Sequence, residues 1–169
     1  MKRWLKIFYW FILIFYIVLL IDTVFISRDH LRSVNLIPFD SIKEYVMVDN
    51  GFGHYRLVDM NIWANILMFV PAGIYTILHN KNKSLVKNLL LILLGSLLIE
   101  VIQYTFALGA TDIDDIILNV LGGLIGIFIY LLCKKIFQTE EKTKSAIAVL
   151  SFIVGLPVFV ITLLLILVN

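Results

Sequence analysis

Carboxylate and amide side chains cluster where two long apolar segments of the chain meet. Glu100 and Gln103 lie near the end of one apolar run, and Asn119 lies near the start of the next. The turn between the runs carries three further acids: Asp112, Asp114 and Asp115. A carboxylate at the centre of a membrane helix costs about 2.5–3.5 kcal/mol, so such groups are usually partnered and functional. Together these residues could bind a ligand, hold a divalent cation or transfer a proton.

The composition indicates that these polar groups belong to an integral membrane protein. Of the 169 residues, 61% are hydrophobic and 15% are charged, whereas about a quarter of a soluble domain is charged. A helix of about 20 apolar residues spans a bilayer. Five stretches approach that length: Ile7–Ile26, Ile62–Leu78, Asn88–Leu108, Ile116–Cys133 and Ala146–Val168. We therefore predict an all-α, polytopic membrane bundle of about five transmembrane helices, forming a single domain over residues 1–169.

The distribution of basic residues predicts the orientation of the chain, because Lys and Arg are enriched in cytoplasmic loops. The N-terminus, the loop after the second span and the segment after the fourth span hold three, three and four of the 14 basic residues. The other loops hold most of the acids. We expect a cytoplasmic N-terminus, an external C-terminus and external loops at residues 27–61 and 109–115. Residues 134–169 would then form a cytoplasmic linker and the fifth helix.

The loops and the single cysteine give more local expectations. The longest loop is predicted to hold a short interfacial helix around Ser41–Val48 and a glycine-rich turn at Asp49–His54. Cys133 is the single cysteine, which excludes an internal disulfide and a cysteine metal cluster. The net charge of +2 gives no reason to expect binding to nucleic acid.

Three of the predicted spans each carry one face of polar and small residues. Positions i, i+4, i+7 and i+11 share a helical face. The faces are Asn61, Asn65, Met68 and Ala72 on the second span, Ser96, Glu100, Gln103 and Ala107 on the third, and Asp115, Asn119, Gly122 and Gly126 on the fourth. The polar members lie near the same membrane boundary, and Glu100 is about 12 Å deep at the rise of an α-helix. We expect one shared cluster, facing inward beneath the outer surface.

Each of these features also has a purely structural interpretation. Gly122 and Gly126 form a small-xxx-small pattern that favours close helix packing. One aspartate of the turn would cap the fourth span, and Asn65 and Asn119 could be hydrogen-bonding residues between helices. Glu100 is harder to explain in this way. It would have to be protonated, bound to a cation, or hydrogen-bonded to nearby amides.

Three sequence blocks, in this order, resemble the VanZ-like membrane proteins. They are "SVNLIPF" (Ser33–Phe39), "NILMFVPAG" (Asn65–Gly73) and "LLIEVIQYTFALGATDIDDIILNVLGGLIG" (Leu97–Gly126). The resemblance covers roughly residues 30–133, and the third block is the most specific. Many relatives carry a basic residue in the turn before the aspartates, where this chain has Gly109-Ala110-Thr111. The resemblance implies a multi-pass plasma-membrane protein of a Gram-positive bacterium that lowers susceptibility to teicoplanin-type glycopeptide antibiotics.

Carried over by position, the resemblance also implies a set of site residues. Glu100 and Asp115 are the candidate catalytic residues. The candidate substrate-binding residues are Asn35, Pro38, Asn65, Gln103 and Asn119. Asp112, Asp115 and Glu100 are the candidate ligands of a divalent cation, Mg²⁺ or Ca²⁺.

The residues support three hypotheses from different classes of protein. In the first, an acidic, amide-lined cleft open to the outer leaflet binds or modifies an envelope lipid or a lipid-linked cell-wall precursor. A cation would reconcile the acids with the lipid phosphate, and desolvated Glu100 would act as the general acid or base. In the second, the chain is a small transporter or scramblase that uses Glu100 as a proton relay. In the third, it is a non-catalytic membrane interaction protein.

Overall fold

Five long helices dominate the computed structural model, which describes residues 3–27, 32–44, 46–49, 55–58 and 60–168. They are α1 (Arg3–Ile21), continued by a π-helical turn over Asp22–Ile26, then α3 (Met60–His79), α4 (Leu85–Phe106), α5 (Ile113–Phe137) and α6 (Glu140–Val168). All five are long and apolar enough to cross a membrane. Large apolar side chains such as Leu94 and Leu98 on α4 are exposed, which lipid accommodates and water does not. The predicted helical membrane bundle is confirmed.

Short elements in the loops were not predicted, apart from one helix. Between α1 and α3 lie β1 (Arg32–Asn35), α2 (Asp40–Glu44), β2 (Val46–Asp49) and β3 (Tyr55–Val58), and β4 (Gly109–Asp112) precedes α5. Strand β1 pairs in parallel with β4, and β2 pairs antiparallel with β3. The predicted helix around Ser41–Val48 is wrong after Glu44, because Val46-Met47-Val48 has the β-branched composition that favours a strand. Residues 50–54 of the predicted glycine-rich turn lie outside the described residues.

The chain forms two compact units, one of Met1–Asp22 with Ile129–Asn169 and one of Thr23–Phe128. In the first unit α1 packs on α6 through aromatic rings. The ring of Phe8 lies 5.0 Å from that of Phe152, measured between centroids. The ring of Phe11 lies 5.3 Å from that of Phe159. The predicted site residues all belong to the second unit.

In the second unit, glycines bring the backbones of α3 and α5 into direct contact. A Cβ atom built on Gly122 would lie 2.1 Å from the carbonyl oxygen of Ile66, and one on Gly126 would lie 2.0 Å from that of Val70. Only glycine permits this approach. The packing interpretation of both residues is therefore confirmed, and the close contact sets the spacing of the polar side chains at the start of each helix.

The connection between α3 and α4 is fixed by polar side chains at the opposite end of the unit. The Lys83 ammonium donates to the carbonyl oxygens of Ile77 and Leu78 at 2.7 and 2.9 Å, which caps the end of α3. Asn88 is fully buried, donates to the carbonyls of Asn82 and Ser84, and accepts from Asn80. This buried amide has all its polar atoms paired.

Candidate functional site

Asp112 caps the N-terminus of α5 and joins that helix to the end of α4. Its Oδ1 accepts a hydrogen bond from the backbone N–H of Asp114 at 2.9 Å, as an N-cap residue does. Its own backbone N–H donates to Oε2 of Glu100 at 3.0 Å. The prediction that one aspartate of the turn caps this helix is confirmed. One of the two Glu100 carboxylate oxygens is therefore held by the turn that precedes α5.

Asp114 holds the outer loop against the same helix start. Its side chain is 1% exposed and accepts the backbone N–H groups of Phe39 at 2.6 Å and of Ile42 at 3.0 Å. These donors lie at the start of α2, where a helix has no partners of its own for them. Asp114 therefore caps α2 from 72 or more positions away along the chain. No site role was predicted for Asp114, and its contacts explain its burial as structural.

The parallel pairing of β1 with β4 places Asn35 opposite Asp112. Ser41 links the two side chains: its hydroxyl donates to the Asp112 carboxylate and accepts from the Asn35 amide at 2.9 Å. Sequence reasoning missed Ser41, because only the pairing of two distant strands brings it to Asp112. Pro38 lies in the exposed turn that follows β1. Asn35 and Pro38, both predicted to bind substrate, therefore lie beside the site.

The amide side chains of three different helices reach the polar cluster. Asn65 on α3 donates to Oδ1 of Asp115 on α5 at 2.5 Å. Asn119 on α5 donates to the Ser96 hydroxyl on α4 at 3.0 Å. Gln103 donates to the carbonyl of Val24 at 2.9 Å. The three predicted polar faces thus converge at the end of the unit where α3 and α5 begin and α4 ends.

A cavity of about 460 Å³ lies among these side chains. It is lined by Thr23, Val24, Ser27, Asn61, Ala64, Asn65, Met68, Phe69, Ile99, Glu100, Gln103, Ala110, Asp112, Asp115 and Asn119. Six of the eight predicted site residues are in that lining, and the two exceptions are Asn35 and Pro38. A larger hollow, about 730 Å³, is lined by residues between 137 and 150 and contains none of the predicted site residues. We assign the candidate site to the smaller, polar cavity.

Two amide oxygens in this cavity have no hydrogen-bond partner in the described part of the chain. They are Oε1 of Gln103 and Oδ1 of Asn119, on side chains that are 1% and 4% exposed. A buried acceptor without a donor costs about 1–3 kcal/mol. An unpaired acceptor beside a cavity is a position where a ligand can supply the missing donor.

Glu100 is 4% exposed, and its contacts show in part how the protein accommodates a buried carboxylate. The sequence left open hydrogen bonds from Gln103, Asn65 and Asn119. The amide nitrogens of these residues donate instead to Val24, Asp115 and Ser96. The Asp112 backbone N–H is a donor that the sequence did not indicate, since it depends on how the turn folds back on α4.

The three predicted metal ligands line the same cavity, but each already accepts a hydrogen bond from the protein. The donors are the Asp112 backbone to Glu100, the Ser41 hydroxyl to Asp112 and the Asn65 amide to Asp115. Within the described ranges, no group of three or more His, Cys, Asp or Glu side chains is placed to hold a metal ion. As arranged, these residues do not fit a divalent cation, and the Mg²⁺ or Ca²⁺ site stays a prediction.

Comparison with known proteins extends the similarity into the first helix. The sequence model of the VanZ/LLP1 family matches residues 5–134, whereas the resemblance in the sequence began near residue 30. Protein VanZ of Enterococcus faecium is 32% identical over 121 residues, which cover 71% of this chain and 66% of the relative. The match thus spans just under two thirds of that relative's length. No solved structure matches the chain.

Proposed function

Because the chain belongs to the VanZ/LLP1 family, we propose that it protects a Gram-positive bacterium against teicoplanin-type glycopeptide antibiotics. It would do so from the plasma membrane, by acting on an envelope lipid or a lipid-linked cell-wall precursor. The teicoplanin connection comes from the family resemblance. The lipid is proposed because the cavity lies among membrane helices, where bilayer lipids are the most abundant neighbours.

The observation that carries the proposal is the polar cavity in an otherwise apolar helix bundle. Hydrocarbon surroundings penalise every unpaired polar group, and intramembrane acids usually mark a pathway or a binding site. Here Glu100 and Asp115 line the cavity together with amides from α3, α4 and α5. Interhelical hydrogen bonding accounts for Asn65 and for the nitrogen of Asn119. It does not account for a cavity or for the unpaired oxygens.

The position of the cavity suits a lipid of the outer leaflet. Its lining comes from the ends of helices that adjoin the loop before α3 and the turn before α5, which the positive-inside rule predicts to be external. A lipid-anchored glycopeptide collects at that same surface. Sequestering or altering its target there would leave less target for the antibiotic to bind.

If the protein also catalyses a reaction, its acids have different roles. Glu100 would be the general acid or base, because it is the more buried carboxylate of the cavity. Asp115 would orient the ligand through its link to Asn65.

Two isosteric variants test the proposal, Glu100→Gln and Asp115→Asn. Each keeps an acceptor oxygen and the size of the side chain, so the hydrogen bond from the Asp112 N–H or from the Asn65 amide is retained. We expect membrane abundance close to that of the unmodified protein. Teicoplanin susceptibility should rise to that of cells lacking the protein. Glu44→Gln, at an exposed position in the last turn of α2, is the matched control and should keep full protection.

Each alternative class has its own outcome in this experiment. Loss of abundance together with protection would favour a purely structural cluster. Protection that collapses with the proton-motive force would favour a transporter with Glu100 as its relay. Full protection in both variants at normal abundance would contradict a functional cavity.

A further inference from the structure

An exposed apolar turn, residues 36–39, lies between β1 and α2. The side chains of Leu36, Ile37 and Phe39 are 66%, 65% and 52% exposed, and the remaining residue is Pro38. The described lining of the cavity contains none of them. Isolated apolar residues are common on protein surfaces, whereas adjoining ones usually mark a contact with a membrane or a partner. The apolar turn therefore needs a partner.

Contacts of α2 place the apolar turn beside the membrane-spanning part of the bundle. Asp114, in the first turn of α5, accepts the backbone N–H of Phe39 at 2.6 Å and that of Ile42 at 3.0 Å. The Ile42 side chain packs against a buried cluster from α3 and α5: Ile62, Ile66 and Leu118. At the rise of an α-helix, Ile66 lies about 9 Å from the start of α3 and Leu118 about 7.5 Å from the start of α5. The segment after the turn thus packs against the apolar spans.

The backbone of the apolar turn and of α2 suits surroundings that contain little water. Five of its N–H groups donate to acceptors within the protein, those of Ile37, Phe39, Asp40, Ile42 and Lys43. Pro38 has no N–H to satisfy. Beside hydrocarbon an unpaired backbone donor is costly, whereas in an exposed loop water satisfies it. The pairing therefore permits these residues to lie at the edge of the bilayer.

Local geometry fixes the conformation of the apolar turn. Oδ1 of Asn35 accepts the backbone N–H of Ile37 at 3.1 Å, a turn that Asn side chains favour, and Pro38 restricts its own φ. Phe39 has a φ of 65°, in the left-handed region that bulky residues rarely adopt. Such a conformation persists where the surroundings hold it, and the hydrogen bond to Asp114 does so here. The exposed apolar side chains therefore belong to a fixed turn.

We propose that the apolar turn inserts into the phospholipid leaflet beside the polar cavity, with Leu36, Ile37 and Phe39 among the upper parts of the acyl chains. The bilayer is the partner because α2, which continues the turn, packs on two of the helices that the bilayer surrounds. The turn adjoins the cavity because it follows Asn35, whose partner in the β1–β4 pairing, Asp112, is part of the cavity lining.

The depth of α2 agrees with shallow insertion. Interfacial segments bury their apolar side chains about 5–10 Å into the boundary between headgroups and acyl chains, which matches the level of Ile66 and Leu118. The charged side chains of Lys43 and Glu44 are exposed at the end of α2 and lie at the level of the headgroups. In the predicted orientation the leaflet is the outer one. This surface is separate from the ligand cavity, so the inference goes beyond the proposed function.

Fluorescent labelling of the purified full-length chain in lipid nanodiscs tests the inference. In a protein whose buried Cys133 is replaced by alanine, Ile37→Cys and Glu44→Cys each receive the same environment-sensitive dye. A phosphatidylcholine with a nitroxide at the top of its acyl chain should quench most of the emission at position 37 and little at position 44. Aqueous iodide should give the reverse pattern. Since both positions carry the same dye, its own affinity for lipid produces no difference between them.

Two results overturn the inference. One is equal quenching of both positions by iodide, without quenching of position 37 by the lipid nitroxide. The other is a label at position 37 that neither quencher reaches, since a second copy of the chain or another protein would then cover the turn. Leu36→Cys repeats the measurement, so a folding defect in one variant leaves the test intact. The readout involves no antibiotic: if Glu100→Gln abolishes protection while iodide reaches position 37, the proposed function stands and the insertion is wrong.

Discussion

The close contact between α3 and α5 makes a strong prediction for Gly122→Ala. The added Cβ would lie 2.1 Å from the Ile66 carbonyl oxygen, where ordinary contact begins at 3.4 Å. Since the atom it meets is backbone, the helices must move apart by roughly 1 Å. Overpacking of this kind costs about 3 kcal/mol at the upper end of its usual range. The gain in helix propensity from Gly to Ala returns about 1 kcal/mol.

The net loss for Gly122→Ala is therefore about 2 kcal/mol. Gly95→Ala is the matched control, because a Cβ there has nothing within 4 Å. It should stabilise the helix by about 0.5–1 kcal/mol. Unfolding of both variants by SDS titration in mixed micelles measures the difference. Changes of the same sign and size at the two positions would refute the packing argument.

The same substitution should also disturb the site. The 2.5 Å hydrogen bond from Asn65 to Asp115 joins the two helices next to this contact. A separation of roughly 1 Å stretches it beyond the usual hydrogen-bonding range of about 2.7–3.2 Å. We therefore expect Gly122→Ala to weaken the antibiotic protection that we propose, even where abundance is restored by higher expression. Gly95→Ala should leave protection unchanged.

Two further predictions concern caps. The two carboxylate oxygens of Asp114 each accept one backbone N–H, from Phe39 and from Ile42. Asp114→Asn keeps only one oxygen, so one of these N–H groups faces an amide NH₂, and the lost hydrogen bond costs about 2 kcal/mol of stability. Hydrogen exchange at these two amides should accelerate on the order of 30-fold, and unchanged exchange would contradict the capping role. Lys83→Met removes the donor that caps the last turn of α3 and should lower the unfolding temperature by a few degrees, about 1 kcal/mol. Lys81→Met replaces an exposed lysine of the same loop and should leave the unfolding temperature unchanged. Equal decreases in unfolding temperature for the two variants would show that the loss of positive charge, rather than of the cap, is responsible.

Much of this fold and part of this site could be predicted from the sequence because their signals are local. Apolar runs and helical spacing are properties of neighbouring residues, and they predicted five spans and three polar faces. The convergence of Asn65, Glu100 and Asn119 followed from their shared level in the membrane. Gly122 was likewise recognisable from its small-xxx-small spacing.

The rest depends on contacts between distant residues. The pairing of β1 with β4 links Asn35 to Asp112 across 77 positions, and neither strand has a strong pattern of its own. The sequence does not distinguish Asp114 from the neighbouring aspartates, because its capping role depends on contact with a distant loop. The unpaired oxygen of Gln103 depends on which way one amide turns toward the Val24 carbonyl. Such features follow from tertiary structure and leave no periodic signal in the sequence.

The account depends most directly on the cavity facing the outside of the cell. Cysteine labelling in intact cells measures this, with Cys133, which is buried, replaced by alanine. Ala110→Cys, in the cavity lining, should react with a membrane-impermeant maleimide from outside. Lys81→Cys, in the exposed loop between α3 and α4, should react only after permeabilisation. Labelling of the Lys81 position in intact cells, with the Ala110 position protected until permeabilisation, would place the cavity at the cytoplasmic face and contradict the account.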